Sequence, residues 1–347
     1  MSAPEPMVEF LLRLLNTPSP TGLTEGAVAL IEAELSTLGV QARRTRKGAL
    51  HWILPGTDPR AGHIGPKVLA LSAHTDTLGA MIRAVLPDGR LRLTQLGGYD
   101  WTTIEGAYVT VHAQAGRSFT GTVVNDFQSG HIRQGGSELR RSGENLYVRL
   151  DELVGSGHDV RALGIEVGDF VSFEPRAVLT PSGYLKSRHL DNKAGVAILV
   201  ELTRRLVAQP VAITVCGWIT VHEEVGHGAA PGFGDASELI VLDMAVVAGG
   251  QTSDERQATL CVKDSSGPYD HALSNRLRAA AHRAGVPLNI DTYPRYSSDA
   301  SAAWSAGHDL PAALIGPGVD ASHAYERTHV DALHACVSIL TSYCREP

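Results

Sequence analysis

The sequence predicts an α/β fold: a mostly parallel sheet with helices on both faces, interrupted by a small inserted β-rich domain. Three observations predict it. Continuous apolar runs at 67–73, 211–221 and 239–247 have the character of strands covered on both sides, as in parallel sheets. Residues 194–207 are apolar nearly all round, which marks a buried helix. Between about 78 and 180 the texture changes to short alternating runs separated by turn residues.

The elements follow in order. Residues 24–38 carry apolar side chains at helical spacing, with Thr24 placed as N-cap. The run 67–73 delivers the chain to His74, Thr75 and Asp76. In the β-rich stretch, 107–113, 119–124 and 169–173 read as strands. Pro87-Asp88-Gly89, Ala115-Gly116-Arg117 and Pro181-Ser182-Gly183 are the turn signals. A module of roughly one hundred residues of this kind suits a barrel or a sandwich. Beyond Lys186 the α/β texture returns, with strands at 211–221, 239–247 and 312–315 and helices at 194–207, 276–284 and 330–343. The expected division is one discontinuous α/β domain, 1–76 with 181–347, around a β domain at 77–180.

Composition narrows the function. A length of 347 residues is enough for about two domains. Asp and Glu number 37 against 30 Lys and Arg, and this mild acidity argues against a nucleic-acid binder. Arg43-Arg44-Thr45-Arg46-Lys47 is too short a basic run to change that, and reads as a solvated strand edge. No run of about 18 apolar residues predicts a membrane span. The first ten residues lack a basic segment and an apolar core, so no signal peptide is expected. The four cysteines form no Cys-x-x-Cys pair, and Cys216 reads as a small buried hydrophobe. A reducing cytoplasm fits these features. Fifteen histidines make a metal or acid–base site worth seeking.

In open α/β sheets ligands gather beyond the carboxyl ends of the strands. His74 and Asp76 follow the first run, and His222, Glu223 and Glu224 follow the second. Asp243 sits inside the third, His323 follows the short strand, and Asp191 precedes the buried helix. Each has an ordinary reading: Asp191 as an N-cap, the acidic pair as a solvated turn, His74-x-Asp76 as a surface turn. Asp243 is the hardest to dismiss, because an Asp in an apolar strand must be paired or bind a cation. His74-x-Asp76 also suits a ligating His that gives its second N–H to a carboxylate. His189 and His222 neighbour these positions and could tune a pocket. His227, His271 and His329 have no supporting spacing.

Taken in order, the motifs are Ala73-His74-Thr75-Asp76, Leu190-Asp191-Asn192-Lys193-Ala194-Gly195, His222-Glu223-Glu224-Val225-Gly226, Val241-Leu242-Asp243, Ser298-Asp299-Ala300 and Ala321-Ser322-His323. This series resembles the tetrahedral (TET-type) glutamyl and deblocking aminopeptidases, family forty-two of the metallopeptidases, clan MH. The resemblance covers essentially the whole chain. It implies a phosphorylase/hydrolase-like sheet domain and a PDZ- or SH3-like barrel that serves dimerisation. It implies two divalent metal ions per subunit, zinc with cobalt or manganese as alternatives. Asp191 would bridge them, His74 and Asp243 would complete one site, and Glu224 and His323 the other. Glu223 would be the general base, Asp76 would orient His74, and Ser298-Asp299-Ala300 would shape the substrate pocket. The partners implied are peptides with a free N-terminus and further copies of the chain, dimers assembling into a tetrahedral dodecamer. Thr75, Thr77 and Asn192 depart from the common Met, Glu and Asp, and bear on substrate preference.

Three charges from Asp191, Glu224 and Asp243 against two divalent ions leave a small positive remainder that acidifies a water. Ligands of O and N type without thiolate suit zinc, cobalt or manganese. A related dinuclear deacylase acting on N-acyl amino acids would share this chemistry. The stretches 186–191 and 318–327 resemble a branch linked to an osmoprotectant dipeptide amide. A scaffold without activity would be expected to lack a ligand, and none is missing. A cellulase would need a carboxylate pair in a sugar cleft, and only 5% of residues are aromatic to line one.

Overall fold

The computed structural model describes residues 5–58, 67–127, 129–132, 135–136 and 138–346. The chain opens with helices α1 (Pro6–Leu15) and α2 (Glu25–Thr37), then strands β1 (Arg43–Arg44), β2 (Leu50–Leu54) and β3 (Val68–His74). A second group of strands follows: β4 (Gly79–Val85), β5 (Leu91–Leu96), β6 (Tyr108–His112), β7 (Ser118–Asn125), β8 (Leu146–Leu150) and, after the short helix α3 (Gly157–Ala162), β9 (Phe170–Phe173). The remainder is β10 (Val178–Leu179), β11 (Tyr184–Ser187), α4 (Leu190–Ala208), β12 (Thr214–Thr220), β13 (Glu238–Leu242), β14 (Ala245–Val247), β15 (Ala258–Asp264), β16 (Gly267–Pro268), α5 (His271–Ala284), β17 (Leu288–Thr292), α6 (Asp299–Ser305), β18 (Ala312–Asp320), β19 (Glu326–His329) and α7 (Val330–Arg345).

The α/β expectation holds. Strands β12, β3, β13 and β18 form the parallel centre of a large sheet with antiparallel margins. Period-two alternation assigns their side chains to two faces. Leu71, Ala73, Ile240, Leu242, Ala313 and Ile315 pack on one side with α1, α2, α4 and α7. Ala70, Leu239, Val241, Ala312 and Leu314 pack on the other with Ala300 and Ala303 of α6. The inserted strands close into a six-stranded barrel, β4-β5-β8-β7-β6-β9, with its own core around Val111, Val123, Val148 and Val171. The barrel decides between the two forms left open for this module.

Several local expectations need correction. The apolar run 239–247 is not one strand. It breaks at Asp243 and Met244, because β13 and β14 pair with successive parts of the long strand β18. Strand β18 itself runs to Asp320, five residues beyond the expected 312–315. Its tail includes Gly316, Pro317 and Gly318, which read as turn residues but lie in the ladder. Thr24 takes the N-cap position of α2, but its side chain makes no capping bond. Cys216 is half-buried rather than buried. Helix α1 was not expected; Pro6 at its first turn and a buried face of Met7, Phe10, Leu11 and Leu14 account for it. Arg43 and Arg44 do lie on an edge strand, and Arg44 pairs with Glu25 and Glu32 of α2. No helix among the described residues is long and apolar enough to cross a membrane.

One contact anchors the N-terminal helix beneath the strand ends. The Lys193 side chain is fully buried, and its Nζ donates to the carbonyls of Leu14 (3.0 Å) and Thr17 (2.7 Å). These carbonyls lie at and just beyond the C-terminal end of α1, where the regular i→i−4 bonds stop. Lys193→Met fills the same volume without a donor. It should lower stability by about 1–3 kcal/mol, read as a shifted urea midpoint at unchanged slope.

Candidate metal centre and active site

The parallel strands run one way, so their carboxyl ends meet at one edge of the sheet. His74 ends β3, and Asp76 stands two residues on. Glu223 and Glu224 lie just past β12, Asp243 in the break after β13, and His323 in the turn between β18 and β19. Asp191 stands at the start of α4, where its dihedrals are not yet helical. Four of these segments line one cleft of about 540 Å³, and His74 is buried against Asp191 at its wall.

Asp191 divides its two oxygens. Oδ1 lies 3.2 Å from His74 Nε2 and Oδ2 lies 3.4 Å from His323 Nε2. Glu223 Oε2 and Asp243 Oδ1 also face His74 Nε2, at 3.6 and 3.9 Å. Glu224 Oε2 faces His323 Nε2 at 3.9 Å. His74, Asp191 and Glu224 offer donor atoms all within 4.8 Å of one another.

Both imidazoles have a fixed orientation. His74 Nδ1 lies 3.0 Å from the carbonyl oxygen of Asp76, and His323 Nδ1 lies 2.5 Å from that of Gly98. A carbonyl only accepts, so each Nδ1 must carry a proton. In the neutral ring the lone pair then sits on Nε2, aimed at Asp191. His74 Nε2 and Glu224 Oε1 are buried without a hydrogen-bond partner. Orphaned donors of O and N type around a shared carboxylate fit divalent cations.

The electrostatics point the same way. Burial pushes Glu223 and Glu224 well above the usual carboxylate range; neighbouring carboxylates add to it and the imidazoles oppose it. Asp243 is pushed up to about 7, by burial first and the charge of Asp191 second. Burial opposes a charge on His74, but Glu223, Asp191, Asp76 and Asp243 outweigh it and hold the ring well above the usual range. His323 rises to about 10 in the same way, mainly through Asp191. Asp191 is held low by the two imidazoles despite its burial. So many withdrawn carboxylates need positive charge among them.

Asp76 lies against the cleft, but not as the sequence suggested. Its carboxylate is 3.6 Å from His74 Nδ1, farther than its own carbonyl. The carboxylate instead accepts from the backbone N–H groups of Glu223 (3.1 Å) and Glu224 (3.3 Å) and from Thr21. Asp191 is not an N-cap: its side chain accepts from Ser322 Oγ and faces the imidazoles. Asn192 donates to the carbonyl of Leu242 and accepts from the N–H of Gly195, so the amide ties α4 to the strand before Asp243. Asp299 does not line the cleft. It accepts from Ser72 and Thr220 behind the strand ends. Arg295, Tyr296 and Ser297, just before that motif, do line it. His189 is buried beside Asp191, and burial with Lys193 and Arg188 pulls it down to about 3. His222 stacks on His227 with ring centroids 4.9 Å apart. The sequence carried no signal for Arg295 or for the buried Glu326, which accepts from two backbone N–H groups of the cleft.

Comparison with known proteins gives the family. Residues 60–339 match the model of the M42 glutamyl aminopeptidase family. The chain belongs to the M42 peptidase family. A Bacillus subtilis protein with the provisional name aminopeptidase YhfE is 39% identical over 350 residues, spanning 100% of this chain and 99% of that one. The fold is shared with the TET aminopeptidase of a marine sediment Thaumarchaeota archaeon, at TM-score 0.87 and 18% identity, covering 99% and 97% of the two chains. It is shared as well with the TET1 peptidase of Pyrococcus horikoshii, at TM-score 0.86 and 21% identity, covering 98% and 100%. This M42 chain is an enzyme of an aminopeptidase family, and its fold is that of the TET peptidases.

In this M42 peptidase, Asp76→Asn keeps the size of the side chain but turns one acceptor into a donor facing an N–H. Turnover of an aminoacyl anilide should fall about 10–100-fold while the melting curve stays cooperative. Unchanged steady-state kinetics would remove Asp76 from the machinery.

Proposed function

We propose that the chain is a dinuclear-metal aminopeptidase that removes N-terminal residues from peptides, with Glu223 as general base. The observation that carries this is Asp191, one oxygen turned to His74 and the other to His323, each imidazole having carboxylates of its own. His74 and Asp243 would hold one divalent ion with Asp191, and Glu224 and His323 the other. When bound, two such ions, zinc with cobalt or manganese as alternatives, polarise the scissile carbonyl and acidify the attacking water. Glu223 extends into the same cleft. It takes a proton from the water and passes it to the leaving amine. The acidic cleft also receives the substrate's ammonium group, which favours a free N-terminus. Asp76 acts by holding the Glu223–Glu224 turn.

Arg295 is the one Arg or Lys among the described residues lining the cleft. It favours substrates that bring a carboxylate there. The barrel supports a role in pairing copies of the chain, with dodecamers as the expected assembly. The P. horikoshii TET1 peptidase can assemble into a tetrahedron or a large octahedral shell. Cys216, Cys261, Cys336 and Cys344 are free thiols, which suits a reducing cytoplasm.

Glu223→Gln should keep the metals and lower anilide hydrolysis about 10²–10⁴-fold, read by metal analysis beside kinetics with zinc, cobalt and manganese in turn. Turnover at the wild-type rate would exclude Glu223 as the base. The N-acetylated form of a good peptide substrate should not be cut; its cleavage would favour the deacylase. Arg295→Ala should raise KM for a glutamyl anilide about tenfold and leave a leucyl anilide unchanged. Equal effects on both substrates would dismiss Arg295 as a source of selectivity.

A further inference from the structure

Regular secondary structure does not fix every group around the cleft. The backbone of His74 lies in the β3–β12 ladder, opposite Thr220. The N–H of Asp243 donates to the carbonyl of Ile315. Asp191 and His323 have no such support: Asp191 precedes the regular part of α4, and His323 sits in a turn at a φ of 63°. Their N–H groups end on one side chain. Glu326 Oε2 accepts from Asp191 N at 3.0 Å, and Oε1 accepts from His323 N at 3.2 Å.

Glu326 is 2% exposed and opens β19, where it pairs with Ser187 of β11. Two buried N–H groups could be satisfied by neutral acceptors at far lower electrostatic cost. A carboxylate this close to Asp191 adds a buried negative charge to an already acidic cleft. The two N–H bonds and the His323 ring offset part of that charge, and divalent cations in the cleft would offset the rest.

We propose that Glu326 is a positioning residue: a two-oxygen clamp that sets the bridging Asp191 against His323 and thereby builds the ion site shared by Asp191, Glu224 and His323. This rests on the two-ion reading above. Its effect falls unevenly, because His323 belongs to one ion only. The other ion keeps His74 and Asp243, whose backbones the clamp does not touch.

Glu326→Gln keeps the volume and leaves a single acceptor oxygen, so an amide donor faces one of the two N–H groups. Equilibrium dialysis of the full-length protein at a series of free zinc concentrations, followed by elemental analysis, counts the ions. The wild type should hold two. The variant should hold one under the same conditions, with the second binding about tenfold weaker or more and the metal-free melting temperature close to wild type. Two ions held at wild-type affinity would overturn the clamp. So would loss of both ions in parallel with a lowered melting temperature, which is what a merely structural role gives. If Glu326→Gln does not fold, Glu326→Asp serves instead. Its charge remains but its shorter reach spans only one N–H, so the same selective loss is expected and full retention refutes the proposal. A wild-type count below two would instead fell the dinuclear reading itself.

Discussion

Asp191, Glu223, Glu224 and Asp243 are withdrawn from water within reach of two imidazoles. A carboxylate so placed must be protonated, hydrogen-bonded or paired with a cation. Much of the surrounding structure answers that demand. The parallel strands deliver the groups to one edge, and the break after β13 turns Asp243 toward it. Lys193 anchors α1 against the base of α4, the helix that begins at Asp191. Asp76 and Glu326 each use both carboxylate oxygens to hold a pair of backbone N–H groups from cleft segments. The two imidazoles place Nδ1 on carbonyls, which leaves Nε2 toward Asp191. The donors are oriented in advance by these hydrogen bonds.

Much of this was legible in the sequence, for a physical reason. Strands buried on both faces must be continuously apolar, so 67–73 and 211–221 announced themselves, and the residues just past the end of such a strand lie at the ligand-binding edge. The barrel was visible as a change of period. The supports were not visible. Glu326 lies 135 positions from Asp191, and Asp76 lies 147 from Glu223, so no local pattern could connect them. Asp76 illustrates the limit well. His-x-Asp spacing suggested a carboxylate on the imidazole, but the two-residue separation lets the nearer carbonyl take that role and frees the carboxylate for the neighbouring turn. Strand β18 ran past its expected end because Gly316, Pro317 and Gly318 look like a turn. In the sheet they allow close approach: a side chain on Gly316 or Gly318 would collide with the backbone of Asp243 or Asp254.

Family membership and chain-intrinsic chemistry meet at different levels. The M42 match and the 39% identical relative show the family of enzyme. The distances around Asp191 explain how such an enzyme could be assembled from these residues. Asn192 shows why the second level matters. Its amide donates to the carbonyl of Leu242 and accepts from Gly195, a pairing that a carboxylate could not satisfy without a proton. The residue at this position is part of how α4 is fastened to the sheet.

The barrel reaches back into the cleft it interrupts. The carbonyl of Gly98 receives His323 Nδ1, and the carbonyl of Thr103 receives the Arg188 guanidinium just before Asp191. Gly97 sits so near Leu78 that a larger residue there would press on it, with Glu224 in contact beside it. The insert is therefore not a detachable handle. Excising it would leave every acidic group of the cleft in the remaining polypeptide but release the His323 ring to swing and exchange tautomers. Any grafting or miniaturisation of this scaffold must carry the 97–103 loop along with the sheet.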